Sequence, residues 1–146
     1  MLELWNGDTA APGMNSGNHV MLIGDLNIWL HEYLGGIRPD PEAPGFKKII
    51  IKPEVVGDLT WVKASYNSVH GLIVSDWKLS GGKFHLDLTI PGNSSATVHI
   101  PAKSLADVTE SNQPIERAKG VKFLRLEDGR VVLEVASGHY TFDSRS

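Results

Sequence analysis

The 146-residue chain has no cysteine. Disulfides, thiolate metal sites and cysteine nucleophiles are therefore excluded. It carries little charge excess, with a formal net charge of −3, and its largest basic cluster is Lys47-Lys48. A nucleic-acid partner would leave a basic stripe, so none is expected. No apolar run approaches the roughly 20 residues that cross a bilayer, and no basic start followed by an apolar stretch marks a secretion signal; no membrane partner is expected. The G-x-S-x-G elbow of serine hydrolases is missing, as are the phosphate loop and the dinucleotide fingerprint. No acidic loop suits calcium. The expectation is therefore no cofactor and no metal. What is present is ordinary globular material: 41% hydrophobic and 21% charged residues, enough for one packed domain.

The chain reads as two unequal parts. Residues 16–34 have helical spacing: Val20, Ile23, Leu26, Leu30 and Leu34 form one stripe, and Met21, Ile28 and Trp29 a neighbouring one. Ser16 suits an N-cap, and Gly35-Gly36 with Pro39 and Pro41 forbids continuation. The apolar arc is too broad for one contact face and demands burial on more than one side. The stretch "GIRPDPEAPGF", residues 36–46, reads as a stiff extended linker.

Beyond it the period becomes two. "FKKIIIKP", "LTWVKASYNS", "HGLIVSDWKLS", "GGKFHLDLTIP", "SATVHIP", "VKFLRLE", "RVVLEVAS" and "HYTF" read as strands. Turns fall at Val69-His70, at Pro91-Gly92-Asn93 and at Asp128-Gly129. Eight short strands of this kind predict an antiparallel β-sandwich, so the fold class is mainly β with one N-terminal helix. Residues 143–146 read as a frayed tail.

Few residues invite chemistry. Glu3 lies two positions before Trp5 and close to Asn6-Gly7-Asp8. Carboxylates accept sugar hydroxyls and aromatic rings pack on sugar faces, although a solvated terminal acid is the ordinary reading. His19 sits at the expected start of the helix, where positive potential favours neutral imidazole; local packing is the ordinary alternative. Asp25 and Glu32 lie seven apart on one helical face, with His31 next to Glu32, but no third ligand falls at helical spacing, and they read as a solvated or ion-paired face. His85 and His99 stand on polar faces of alternating strands and read as surface histidines. Trp61 and Trp77 fall on neighbouring strands: both facing outward they would make a flat sugar-binding platform, and otherwise they are packing residues.

The segments "LELWNGD", "GMNSGNHVMLIGDLNIWLHEYLGGIRPDPEAPGFKKIIIKP" and "VKASYNSVHGLIVSDWKL" together resemble the C-terminal end of bacterial α-L-rhamnosidases of glycoside hydrolase family 78. The resemblance spans nearly the whole chain, and "MNSGNH" and "GIRPDPEAPGFK" are its most specific parts. It implies that residues 1–38 are the last loop and helix of an incomplete (α/α)6 catalytic barrel, and that residues 39–146 are a C-terminal β-sandwich domain. Helix burial on several sides is then explained, because barrel neighbours would cover it.

The resemblance also implies hydrolysis of terminal α-L-rhamnosyl groups with inversion. Glu3 matches the family's general base and Trp5 the tryptophan that comes after it, whereas the preceding tryptophan is not matched, because Leu2 stands there. His19 matches a sugar-contacting histidine, with Asn15 and Asn18 beside it as loop-shaping neighbours. The general acid belongs to an upstream motif absent from these 146 residues. The chain alone is therefore expected to be inactive. Its expected partners are rhamnosylated glycosides, through the parent enzyme, the catalytic barrel itself, and a second copy of the chain through the uncovered helix. A free-standing carbohydrate-binding sandwich is the competing reading.

Overall fold

The computed structural model describes residues 20–145. The helix α1 spans Val20–Trp29, and the chain continues through a π-helical turn over Leu30–Leu34. The sequence predicts one α-helix to residue 34; its last five residues are wound more loosely, closed by Gly35 N–H donating to Leu30 O at 2.9 Å. This looser end is where the helix meets the sandwich. Helix ends leave carbonyls that need partners, and here the sandwich supplies them. Trp77 Nε1–H donates to Leu34 O at 2.7 Å, Glu54 N–H to Tyr33 O at 2.9 Å, and Arg38 Nε–H to Glu32 O at 2.7 Å. Gly36, at φ 73°, then turns the chain sharply into the sheet. A Cβ there would collide with the backbone of Lys52 and Pro53, so glycine is required for both conformation and close approach.

Residues 36–46 are not a free linker. Ile37–Pro39 forms β1, antiparallel to β2 (Lys48–Ile51), with Ile37 opposite Ile51. Ile37 is buried in the core, and this apolar contact outweighs the stiffness that prolines suggest. Pro39 is tolerated because β1 is an edge strand. Asp40 makes the return, its Oδ1 accepting from Glu42 N–H at 2.9 Å.

The remaining strands are β3 (Trp61–Ser68), β4 (Gly71–Ser80), β5 (Lys83–Ile90), β6 (Ser95–Pro101), β7 (Val108–Glu110), β8 (Gln113–Pro114), β9 (Val121–Glu127), β10 (Arg130–Val135) and β11 (Gly138–Arg145). They form a five-stranded sheet in the order β1-β2-β6-β10-β9 and a six-stranded sheet in the order β3-β4-β5-β11-β7-β8. Pairing is antiparallel apart from β2 with β6. The sandwich expected from the sequence is therefore present. Its core lies between the sheets: Ile49, Val98, Ile100 and Leu133 from one meet Trp77, Phe84, Leu86 and Phe142 from the other. Each such side chain contributes roughly 1.5–3 kcal/mol on full burial.

Two further features depart from the sequence-based expectation. β7, β8 and the flanking 3₁₀ turns at Leu105–Asp107 and Ile115–Arg117 are additional elements. Residues 143–145 are not frayed but complete β11: Asp143 pairs with His85, and buried Ser144 donates its hydroxyl to Pro101 O at 2.6 Å.

Candidate functional site

Glu3, Trp5 and His19, with Asn15 and Asn18, lie outside the described residues. The described residues offer two other surfaces.

The first is the approach to α1. Leu26, Ile28, Trp29, Leu30 and Tyr33 are all exposed, Ile28 to 54% and Trp29 to 43%. Trp29 stacks on Tyr33 at 6.4 Å, and the Arg38 guanidinium lies 4.4 Å from the Tyr33 ring centre. Beneath the helix a cleft of about 460 Å³ is walled by Ile28, His31, Ile37, Phe46 and Tyr66. His31 Nδ1 and Asn27 O are 3.1 Å apart. Among the described residues no His, Asp or Glu cluster could hold a metal ion, and no helix is long and apolar enough to cross a membrane.

The second surface is the outer face of the six-stranded sheet. Period-two alternation sends Phe84, Leu86 and Leu88 inward and His85, Asp87 and Thr89 outward. Register then assembles rows from different strands. One row holds Trp61, Lys78, His85 and Asp143; the next holds Lys63, Asp76, Asp87 and Thr141. His85 Nδ1 is 2.8 Å from Asp143 Oδ1, and its Nε2 is 3.4 Å from Asp87 Oδ2. Thr141 donates to Asp87 Oδ1 at 3.0 Å, and Ala64 N–H to Asp76 Oδ1 at 3.2 Å. The hydrogen bond that His85 donates to Asp143 raises the pKa of His85; partial burial opposes it, and the charges of Asp143 and Asp87 reinforce it. A groove of about 330 Å³ runs between Trp61, Lys63, Asp76, His85 and Asp87.

The tryptophan platform is not formed. Trp61 pairs with Lys78, whereas Val62 pairs with Trp77, so the two indoles point to opposite faces. Trp61 is 61% exposed and Trp77 2%. His99 is likewise not a surface residue: it is buried on β6 at 9% exposure. Burial lowers its pKa, and the nearby Lys52 lowers it further.

Sequence reasoning saw the polar face of β5 but not the groove. The partners come from β3, β4 and β11, and only the register brings them together.

The profile of the bacterial alpha-L-rhamnosidase C-terminal domain matches residues 36–114. An alpha-L-rhamnosidase of Streptomyces avermitilis is 32% identical over 147 residues, covering 97% of this chain and 13% of that protein. One from Formosa agariphila is 28% identical over 148 residues, covering 98% and 16%. The crystal structure of the Streptomyces avermitilis alpha-L-rhamnosidase complexed with L-rhamnose superposes with a TM-score of 0.83 over 99% of this chain and 14% of that one, at 32% identity. The alpha-L-rhamnosidase from Dictyoglumus thermophilum superposes with a TM-score of 0.77 over 92% and 15%, at 33% identity. The chain thus spans 13% and 16% of the length of these two curated relatives.

Proposed function

Because the chain belongs to the bacterial alpha-L-rhamnosidase C-terminal domain family, we propose that it serves as the C-terminal segment of an inverting α-L-rhamnosidase and braces the catalytic barrel. The supporting observation is the superposition with the Streptomyces avermitilis enzyme over 99% of the chain, which takes in the helix and the sandwich together. Residues 1–38 would close the barrel and residues 39–146 would form the accessory domain. The Trp77–Leu34 hydrogen bond would fix one to the other, and the exposed apolar face of α1 would be covered by the barrel.

In this reading Glu3 is the general base. Inversion needs a carboxylate to take a proton from the attacking water and, about 6.5–9.5 Å away, an acid to protonate the leaving oxygen. Glu3 does the first, while Trp5 packs on the sugar and His19 bonds a hydroxyl. The acid comes from the barrel, so the chain alone does not turn over substrate, since acid catalysis and positioning each supply large rate factors.

The test is a chimera in which this chain replaces the matching segment of the Streptomyces avermitilis enzyme, assayed on an aryl α-L-rhamnoside. The isolated chain should release no aglycone and the chimera should. Glu3→Gln in the chimera should lower kcat at least ~100-fold with an unchanged urea midpoint. Turnover by the isolated chain, or near-normal kcat in Glu3→Gln, would overturn the assignment.

A further inference from the structure

We propose that the outer face of the six-stranded sheet carries its own saccharide site, in which Trp61 stacks on a neutral pyranose and Asp76 and Asp87 accept its neighbouring hydroxyls. No group in it is Glu3 or one of the expected barrel residues: all belong to β3, β4, β5 and β11.

Three observations carry it. The first is Trp61 itself. A large indole left 61% exposed on an edge strand, at the rim of a groove of about 330 Å³, presents an apolar face with a donor at one end. The carbon–hydrogen face of a pyranose is the matching surface.

The second is the pairing of like charges. Asp76 and Asp87 stand directly opposite each other on β4 and β5, so two carboxylates face the groove side by side. The contacts they make, from Ala64 N–H to Asp76 and from Thr141 and His85 to Asp87, leave lone pairs unused, since an ionised carboxylate offers about four acceptor sites. Two adjacent hydroxyl donors of one sugar ring would bond both.

The third is balance and rigidity. Lys63 and Lys78 flank the carboxylates on β3 and β4, so the groove mixes both signs and suits a neutral polyhydroxyl compound rather than an anion. His85 is tied to Asp143, and Asp87 to Thr141, so the Asp87 carboxylate is held in place before a ligand binds. Beyond the His85–Asp143 pair the surface continues into a polar hollow of about 440 Å³ between Lys83, Thr109 and Arg145, where a second sugar unit would lie.

The experiment is an NMR titration of the whole 146-residue chain with methyl α-L-rhamnopyranoside, methyl α-D-glucopyranoside and methyl β-D-galactopyranoside. Each is taken to about 100 mM, enough to saturate a site as weak as roughly 1 mM. With at least one glycoside, the Trp61 indole N–H and the amides of Lys63, Asp76 and Asp87 should shift and saturate, while the Trp77 indole, bonded to Leu34, stays fixed. Trp61→Ala and, separately, Asp76→Asn should each weaken binding at least tenfold in spectra that keep the folded dispersion. The proposal is overturned if no glycoside gives a saturating shift at these groups, if both folded variants keep full affinity, or if the shifts centre on α1. None of these results touches the chimera's turnover, so this site and the catalytic reading can fail separately.

Discussion

At the scale of single residues, two histidines pull stability in opposite directions with pH. His85 is held by Asp143 and its pKa is raised above the ordinary value near 6.5. Its contribution is therefore fully present below pH 6.5 and is lost as pH rises through the raised folded value. His99 is buried and its pKa is lowered from the same value. It costs nothing while neutral above pH 6.5, and stability falls as pH drops from there through the lowered value. The two together should place maximum stability near their crossing. Urea midpoints measured between about pH 5 and 8 should show this: His85→Asn flattens the alkaline limb and leaves the acid limb, and His99→Gln does the reverse. Identical profiles for both variants and the parent would refute the assignment. The sequence could not separate these two residues, since both stand at polar positions of alternating strands. Only packing shows that His99 is enclosed and His85 is not.

At the scale of elements, the junction between helix and sandwich rests on few bonds. Trp77 is 2% exposed and its indole holds Leu34 O at 2.7 Å. Trp77→Phe keeps an aromatic ring in the core but leaves that carbonyl without its donor, at a cost of about 1–3 kcal/mol. Hydrogen exchange should speed up most at residues 30–35, with β5 changing only as much as global stability does. A uniform increase across the chain would mean that the bond does not hold the helix.

The strands themselves were legible because alternation repeats in each, and the turns at Pro91-Gly92-Asn93 and Asp128-Gly129 announce themselves in residue type. β1 was not legible, because Pro39 and Pro41 suggest a linker while the deciding contact, Ile37 against Ile51, is set by register. β7 and β8 are too short to show a period. The opposite orientation of Trp61 and Trp77 is also a matter of register, since one residue of offset sends neighbouring indoles to different faces.

At the scale of the molecule, one group of exposed apolar side chains lies together on α1 and its π-helical turn, where Leu26, Ile28, Trp29, Leu30 and Tyr33 are each between 41% and 54% exposed. In the proposed enzyme the barrel would cover them. In the isolated chain nothing among the described residues does, and contiguous apolar surface of this kind drives association. The chain alone is therefore expected to self-associate through α1, with sedimentation velocity showing a mass that rises with concentration between about 1 and 100 μM. The double variant Ile28→Glu with Trp29→Lys should hold it monomeric with its β-sheet spectrum unchanged. Leu126→Lys, on the exposed edge strand β9, should leave association as it was. The chimera should be monomeric over the same range, because its barrel occupies the face that a second copy would otherwise use. A monomeric isolated chain, or association abolished by Leu126→Lys and not by the helix variant, would show that α1 is not the sticky surface. It would also remove the physical reason for expecting the barrel to sit there.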